Sequence, residues 1–146
     1  EGGTQRWAVV RGKIVVLAIP FGATAETLAS LSSLIKGRHK IILDLTNAKY
    51  KSVSEMLCPV DIHQVVLNDE TTKWALAYKS IFSFKLEFGG VAQTVDICGD
   101  RDARMAVADL VRSHGWVPRI RGGLEMAKAL EPGRRVAYLK QMYGDS

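Results

Sequence analysis

The sequence is poor in the features that most often define a site. It has only two cysteines, Cys58 and Cys98, and neither belongs to a Cys-x-x-Cys pair or a cysteine–histidine cluster, so no metal site is indicated. We expect both to be small buried apolar side chains, and their scarcity favours a reducing, cytoplasmic compartment. The longest apolar run, residues 14–19, is far shorter than the roughly 20 residues that span a bilayer, so no membrane segment is predicted.

Motifs for acid–base or nucleophilic catalysis are missing as well. The sequence has no Gly-x-Ser-x-Gly elbow and no Walker phosphate loop. His39, His63 and His114 are scattered without metal-ligand spacing, and we expect them at the surface or at helix ends. We therefore predict no catalytic side chain. This agrees with hydride transfer, in which the cofactor carries the chemistry and the protein mainly positions two rings.

The charge of the chain is moderately basic. The net charge is +5, with basic residues concentrated at Lys36, Arg38 and Lys40 and again at Arg134 and Arg135. Such a surplus attracts phosphate groups, on a nucleotide or on a nucleic acid. Because no RNP motif, zinc finger or aromatic-interleaved basic stripe is present, no nucleic-acid partner is predicted. The 146 residues, 47% of them hydrophobic, suit one compact domain.

Alternating apolar runs and helical patterns predict an α/β fold, a partial Rossmann-like parallel sheet flanked by helices. The strands are predicted over residues 14–19, 41–45, 74–78, 94–98 and 116–120. Thr24 is predicted to cap a helix that Gly37 ends, which gives a right-handed βαβ unit with the first two strands. Asp100 is predicted to cap the clearest helix. Pro118 cannot donate to a sheet ladder, so the last strand is predicted at an edge.

Other segments are less well defined by the pattern. Residues 46–58 are predicted to form a polar loop with one helical turn. The residues after Asp61 fit either a short helix or a strand, and the sequence leaves both open. Helices are predicted over residues 124–130 and 135–143, on either side of Pro132.

Three loops follow the predicted strands at the edge where open α/β sheets bind ligands. They are Pro20-Phe21-Gly22, Thr46-Asn47 and Lys79-Ser80-Ile81. Asp44 stands inside the apolar strand that precedes the second loop, and a buried carboxylate must find donors. It either bonds neighbouring loop amides or shapes the Thr46-Asn47 loop around a cofactor.

Four segments around these loops resemble a known family. They are residues 15–20 (VVLAIP), 43–47 (LDLTN), 77–81 (AYKSI) and 97–100 (ICGD), the last followed by a helix and two glycines. Together they resemble the NADP-dependent reductases that work with a deazaflavin coenzyme. That group includes the cytosolic reductase domain of the six-transmembrane metalloreductases (the STEAP family). The similarity covers nearly the whole chain, from about Arg6 to Tyr143.

The resemblance implies an oxidoreductase domain that passes hydride between NADP(H) and a flavin or deazaflavin. Residues 15–20 would meet the nicotinamide, and residues 77–81 would lie near the redox centre. The cofactor-binding residues that it implies are Ala18, Ile19, Pro20, Phe21, Thr46, Asn47, Ala77, Tyr78, Lys79 and Ser80.

The sequence departs from the family at its start. The family opens with a strand, a Gly-rich turn and a helix, whereas Glu1-Gly2-Gly3 does not match Gly-x-Gly-x-x-Gly. We therefore expect residues 1–146 to form a single Rossmann-like dinucleotide-binding domain that lacks its first βαβ portion. Lys79 also stands where the family has asparagine, and Phe21-Gly22 replaces a polar pair.

A non-catalytic interaction module, derived from a truncated Rossmann domain, is the alternative. Without its first portion, the sheet would leave a strand edge and apolar faces open, and such surfaces favour association. We expect a dinucleotide cofactor as ligand, and a homo-oligomer or a partner chain that covers the open edge.

Overall fold

The computed structural model describes residues 3–47, 58–79 and 91–131. Several sequence predictions lie outside these ranges: the helix over residues 135–143, the helical turn between residues 48 and 57, and the loop residues Ser80 and Ile81. The part of the chain that is described has one sheet with helices on both of its faces.

The sheet has five strands in the order β1-β2-β3-β4-β5. They are β1 Ile14–Leu17, β2 Ile41–Asp44, β3 Lys73–Leu76, β4 Thr94–Gly99 and β5 Val117–Gly122. All neighbouring strands are parallel except β3 and β4, which are antiparallel. The predicted α/β class and mostly parallel sheet are therefore confirmed. The reversed direction of β4 was not predicted, because an apolar run carries no information about strand direction.

Five helices accompany the strands in the described residues. They are α1 Gln5–Arg11, α2 Phe21–Ile35, α3 Pro59–Leu67, α4 Arg101–Ser113 and α5 Ala127–Leu130, the last preceded by a 3₁₀ turn at Leu124–Met126. Helix α1 was not predicted from the sequence. Its start has a local signal, because the Thr4 hydroxyl accepts a hydrogen bond from the Trp7 N–H at 3.2 Å.

Two predicted helix starts are wrong. α2 begins at Phe21 after Pro20, so Thr24 lies inside its first turn, where its hydroxyl donates to the Phe21 carbonyl at 2.7 Å. α3 begins at Pro59, and Asp61 lies in its first turn instead of capping it. Proline suits the first helical position, because its missing N–H would have no partner within the helix. Of the two structures left open for residues 62–66, the helix is the one formed.

Asp100 does precede α4 as predicted, but its carboxylate does not cap the helix. Its Oδ2 accepts a hydrogen bond from the Trp74 N–H of β3 at 2.8 Å. The carboxylate thus ties the start of α4 to the neighbouring strand. Gly37 follows α2 with a φ of 71°, the left-handed conformation that ends helices.

The core is divided between the two faces of the sheet. On one face α1, α2 and α3 bury an apolar cluster that includes Leu28, Ile35 and Leu67. On the other face α4 packs Val107 and Val111 against residues of β2, β3 and β4. Strand β2 is buried on both faces, as its continuous apolar run predicted.

Both cysteines lie in the first of these clusters as free thiols, as expected. Burial raises the pKa of the Cys58 thiol to about 11 and that of the Cys98 thiol to about 12. Both side chains are therefore protonated and poorly nucleophilic at neutral pH.

The two edges of the sheet differ in character. β5 is an edge strand, as Pro118 predicted, and most of its residues are exposed. Within the described residues, β1 forms the opposite edge and pairs with β2 alone. Among the described residues, no helix combines the length and apolar character needed to cross a membrane.

Candidate functional site

The carboxyl ends of β1, β2 and β3 meet at one edge of the sheet. Leu17 pairs with Asp44, and Asp44 pairs with Leu76, so the three strands end level with one another. The segments that follow are residues 18–21, 45–47 and 77–79. The structure thus brings the described parts of the three predicted loops to the same edge.

The predicted site residues differ in how much of each is accessible. Ala18, Pro20 and Asn47 are exposed, and Ile19, Phe21 and Tyr78 are half-buried. Thr46, Ala77 and Lys79 are buried. Only the first two groups present side chains to a ligand. Ala77 packs within the core on the α4 face, so it can meet a bound ring only through its backbone.

Asp44 lies at the centre of a buried polar network beneath these loops. Its Oδ1 accepts hydrogen bonds from the Thr46 N–H at 2.8 Å and from the Thr46 hydroxyl at 2.6 Å. Its Oδ2 lies 2.8 Å from Nδ1 of His63. Burial opposes ionisation, but the hydrogen bonds from His63 and Thr46 and the charge of Lys79 together lower the pKa of Asp44 below 3.8. The predicted bond to a loop amide is present, and a histidine bond was not foreseen.

His63 is fully buried within α3, so the expected position at the surface or at a helix end is wrong. Its Nε2 lies 2.7 Å from Oγ1 of Thr24, in the first turn of α2. Its ring stacks at 6.4 Å between centroids on Trp74. The sequence held a signal for this position, because the buried positions of α3 are 59, 60, 63 and 67, at helical spacing. A buried histidine on that face needs hydrogen-bond partners for its ring nitrogens, and Asp44 is one.

Lys79 enters the same network from the end of β3. Its side chain is 2% exposed, and its Nζ lies 2.9 Å from Oε1 of Glu131 and 3.7 Å from Oδ1 of Asp44. The ammonium group also donates to the Thr46 carbonyl. Lys79 therefore faces inward and supports the loops from below.

The network connects all three predicted loops through buried contacts. It reaches the first loop through Thr24 and the Phe21 carbonyl, the second through Thr46, and the third through Lys79. Sequence reasoning identified Phe21, Thr46 and Lys79 but missed Thr24, His63 and Glu131. The side chains of Thr24, His63 and Glu131 hold the loops in place and are not accessible to a ligand.

The order Thr24–His63–Asp44 has the hydroxyl–imidazole–carboxylate arrangement of hydrolase triads. Three observations argue against nucleophilic catalysis by these residues. Thr24 is 1% exposed, the other two are 0% exposed, and the threonine hydroxyl donates to the Phe21 carbonyl. A substrate has no access to the hydroxyl, so the geometry is structural.

Tyr78 leaves the sheet in the opposite direction to Lys79. Its backbone has a φ of 60°, which is rare for an aromatic residue. Its hydroxyl lies 2.6 Å from Nε2 of His114, and its ring contacts Trp116 on the α4 face. Burial raises the pKa of Tyr78. The left-handed backbone at Tyr78 places the side chains of Tyr78 and Lys79 on opposite faces of the sheet.

Metal ligands do not gather at this edge. Within residues 3–47, 58–79 and 91–131, no group of three histidine, cysteine, aspartate or glutamate side chains is placed to hold a metal ion.

Comparisons with known proteins give matches by structure only. No protein-family model matches the sequence, and a sequence search of curated proteins gives no match. A hypothetical protein from Sinorhizobium meliloti has a TM-score of 0.72 at 22% identity, with 89% of this chain and 66% of that chain covered. A protein from Arthrobacter named as an F420-dependent NADP-reductase has a TM-score of 0.72 at 18% identity, with 97% and 69% covered. A pyrroline-5-carboxylate reductase from Coxiella burnetii has a TM-score of 0.63 at 11% identity, with 97% and 49% covered.

At these identities the similarity shows the fold. The chain spans about two thirds of the length of the first two proteins and about half of the third, at 66%, 69% and 49%. The mixed, mostly parallel sheet with flanking helices is therefore a Rossmann-like α/β fold.

Proposed function

We propose that this chain is part of an NADP-linked oxidoreductase domain, and that the edge formed by residues 18–21 and 45–47 receives the nicotinamide. The observation that carries the proposal is the common position of the three loops at the carboxyl ends of parallel strands, where doubly wound sheets bind ligands. Proteins of the same fold named as NADP-linked or imine reductases support it, including a pyrroline carboxylate reductase from Plasmodium falciparum with NADP bound.

The accessible residues at this edge are mostly apolar, which suits contact with a flat ring. Ala18 and Pro20 are exposed, Ile19 is half-buried, and Asn47 places an exposed amide beside them. A bound dinucleotide would supply the hydride, and the protein's part is to hold its ring against an acceptor. The sequence resemblance supports a more specific proposal for the hydride acceptor. The acceptor would be a flavin or deazaflavin near Asn47 and residues 77–81, as the resemblance to the deazaflavin-dependent reductases and the metalloreductases implies.

The proposed fit concerns the nicotinamide half of the cofactor. In the Rossmann fold the pyrophosphate sits on the first Gly-rich turn and on the helix N-terminus that follows it. We propose that residues 1–146 form a single dinucleotide-binding domain that lacks this first βαβ portion. The nicotinamide end can then be tested separately from the adenosine end.

The test compares two ligands by amide chemical shifts. Reduced nicotinamide mononucleotide should shift the amides of Ala18, Ile19, Phe21, Thr46 and Asn47, and adenosine 2′,5′-bisphosphate should not. Asn47→Ala should weaken the nicotinamide effect several-fold, because the exposed amide is lost. Asn68→Gly is the control, since Asn68 lies at the opposite end of the sheet with a φ of 47° that glycine accepts. Equal shifts with both ligands, or none at these residues, would reject the proposal.

The second candidate is an interaction module that associates through β1. Among the residues that the structure describes, β1 pairs on one side only, and an apolar groove of about 430 Å³ runs beside it between α1 and α2. Val16 in β1 is 49% exposed, and Trp7 and Val10 of α1 are also exposed. We propose a second copy of this chain as the occupant, because the same strand can supply donors and acceptors to its own symmetry mate.

Light scattering of the purified chain tests this candidate. A dimer that Val16→Lys converts to a monomer would support it, because a charge on an edge strand opposes strand pairing. Val65→Lys, on α3 and 78% exposed, is the matched control and should leave the mass unchanged. A monomeric wild-type chain at all concentrations tested, or a dimer insensitive to Val16→Lys, would exclude self-association through β1.

A further inference from the structure

The edge of the sheet opposite the candidate site is strongly basic. β1, β2 and β3 start level with one another there, because Ile14 pairs with Ile41 and Ile41 pairs with Lys73. We call the three segments at these strand starts, residues 11–13, 36–40 and 69–73, the basic edge. Its basic residues are Arg11, Lys13, Lys36, Arg38, Lys40 and Lys73. Its acidic residues are only Asp69 and Glu70, so the basic edge carries a net charge of +4 and the whole chain +5.

The three segments of the basic edge are in contact with one another. The Lys40 ammonium group donates to the Val10 carbonyl at 3.1 Å and to the Gly12 carbonyl at 2.7 Å, which joins the second segment to the end of α1. The Gly37 N–H donates to the Asp69 carboxylate at 3.3 Å, which joins the second segment to the third. The six positive charges therefore belong to one continuous surface.

The charges of the basic edge are not neutralised locally. Lys40 is half-buried, and the other five basic residues are exposed. In the described part of the chain, none of the six forms an ion pair with a carboxylate. The Asp69 carboxylate instead accepts from the Thr71 and Thr72 hydroxyls. A crowded surface of one sign attracts a partner of the opposite sign.

Exposed apolar side chains of α1 lie beside this charge. Trp7 is 39% and Val10 is 57% exposed, and Val10 belongs to the turn whose carbonyl Lys40 bonds. The Arg11 guanidinium lies over the Trp7 ring, 4.9 Å from its centroid. Neither Trp7 nor Val10 lines the groove beside β1. Tryptophan and an aliphatic side chain flanked by cations are typical of segments that lie at a membrane–water interface.

We propose that the basic edge and α1 dock on an anionic lipid surface. The lysine and arginine side chains face the negative headgroups, and Trp7 and Val10 enter the headgroup layer. The candidate site is at the other end of the strands, so it faces away from the lipid and stays accessible. The inference rests neither on the proposed function nor on self-association through β1, because none of these side chains belongs to either surface.

A nucleic acid would also match the charge, but the side chains favour lipid. The three segments of the basic edge contain no phenylalanine, tyrosine or tryptophan on which bases could stack. The nearby Trp7 ring is already covered on one face by Arg11. Contacts to phosphates alone make no use of the exposed Val10, whereas a lipid headgroup layer accepts both the charges and the apolar side chains.

The first test is co-sedimentation of the purified chain with lipid vesicles. We expect binding to vesicles of phosphatidylcholine and phosphatidylserine at about 2:1, and none to vesicles of phosphatidylcholine alone. High salt should release the chain, because the screening length falls from about 10 Å at 0.1 M to about 3 Å at 1 M ionic strength. Equal binding to both kinds of vesicle, or no binding to the anionic ones, would overturn the proposal.

A pair of substitutions tests the basic edge itself. Lys36→Gln combined with Arg38→Gln should weaken vesicle binding on the order of twentyfold, since each basic residue near an anionic membrane contributes about fivefold. Arg112→Gln combined with Lys128→Gln is the matched control, because it also removes two exposed charges, on α4 and α5, and should change binding little. Equal losses in the two double variants would show that binding follows net charge and not this surface.

Tryptophan fluorescence tests the placement of α1. On anionic vesicles the emission should move to shorter wavelength as Trp7 leaves water, and the shift should be absent from Trp7→Phe. Trp74, at 2% exposure, gives a constant background. Val10→Ser should weaken binding several-fold, and Val65→Ser, at a 78% exposed position of α3, should not. Bound chain with unchanged emission would contradict the docking of α1.

A titration with a duplex DNA oligonucleotide separates the two kinds of anionic partner. At the salt concentration where anionic vesicles bind, we expect weaker binding to the duplex, because Trp7 and Val10 add nothing to phosphate contacts. Tighter binding to the duplex than to the vesicles, lost in the Lys36→Gln and Arg38→Gln double variant, would identify a nucleic acid as the partner and overturn the lipid proposal.

Discussion

The partners of the Asp44 carboxylate could be predicted only in part from the sequence. A carboxylate within the run Leu43-Asp44-Leu45 has to find donors, and the sequence suggested loop amides. One such amide is present, from Thr46. Two further partners, His63 and Lys79, lie 19 and 35 positions along the chain from Asp44. Nothing local in the sequence links them to Asp44.

The dependence of stability on Asp44 can be measured directly. Asp44→Asn should lower the free energy of unfolding by roughly 3–5 kcal/mol, because it leaves the buried Lys79 ammonium group and the His63 ring without the carboxylate that both contact. Urea unfolding gives the value from the shift in midpoint at constant slope. Asp109→Asn is the control, since the Asp109–Arg112 pair is exposed and should contribute little. Equal losses in the two variants would contradict the buried-network interpretation.

The response to acid follows from the direction of the carboxylate pKa shifts. Burial opposes ionisation of Asp44 and Asp69, but their hydrogen bonds, from His63 and Thr46 and from Thr71 and Thr72, lower both pKa values below 3.8 in the folded state. A folded-state pKa below the unfolded value stabilises the fold above the unfolded pKa. That stability is lost as the pH falls through the folded-state pKa.

We therefore expect the free energy of unfolding to fall as the pH is lowered below about 4, the ordinary aspartate range. Urea unfolding at a series of acid pH values measures it. Asp69→Asn should flatten the dependence, because one of the shifted groups is removed. A stability that rises on acidification would mean that these carboxylates are protonated in the folded protein.

Among the elements, the helices differ in how well their ends could be predicted. Asp100 and Gly37 mark helix boundaries through local preferences, and both stand where expected. Thr24 has the right side chain for a cap, but Pro20 already precedes the helix, and the threonine is used by His63. α1 was missed because its short amphipathic segment has only one buried residue, Val9.

Replacing two glycines by alanine should change the stability of the fold in opposite directions. A Cβ at Gly99 would clash with the Trp74 carbonyl oxygen, because Gly99 lies directly against β3 in the antiparallel pair and has a φ of 152°. Gly99→Ala should therefore destabilise the fold by roughly 1–3 kcal/mol. Gly22 is exposed in the first turn of α2 with no atom within 4 Å of a Cβ, so Gly22→Ala should stabilise by roughly 0.4–1 kcal/mol.

Thermal or urea unfolding of both variants gives the comparison. The two changes in the free energy of unfolding should have opposite signs. The added methyl group in Gly99→Ala meets neighbouring backbone, whereas Gly22→Ala only reduces the entropy of the unfolded chain. Destabilisation by Gly22→Ala would show that the start of α2 is not helical as described.

For the whole molecule, the central expectation concerns binding of the complete cofactor. We predict that the 146-residue chain binds NADPH weakly or not at all, because the Gly-rich turn that normally holds the pyrophosphate is not found in its sequence. Isothermal titration of the purified chain measures this. Binding in the micromolar range or tighter would show that other residues hold the pyrophosphate, and the basic residues Lys36, Arg38 and Lys40 would then be the first to replace.

The sequence by itself determined most of the elements and the first βαβ unit. Two continuous apolar runs with a helix between them predict two parallel strands, and β1 and β2 are parallel. The expected burial on both faces holds for β2 but not for β1, which in the described part of the chain is an edge strand with Val16 exposed. The imino ring of Pro118 likewise restricts its strand to an edge. These features depend on periodicity and backbone chemistry, which can be read along the chain.

Only the tertiary structure decided the contents of the network beneath the site. His63 meets Asp44 across 19 positions and Thr24 across 39, and Lys79 meets Thr46 across 33. Polar partners so far apart are chosen by the packing of α3 on α2 and by the direction in which each side chain leaves its strand. The φ of 60° at Tyr78 turns Lys79 into the network and sends Tyr78 to the opposite face. Such contacts arise because a buried charge must be matched by whatever group the fold brings within reach.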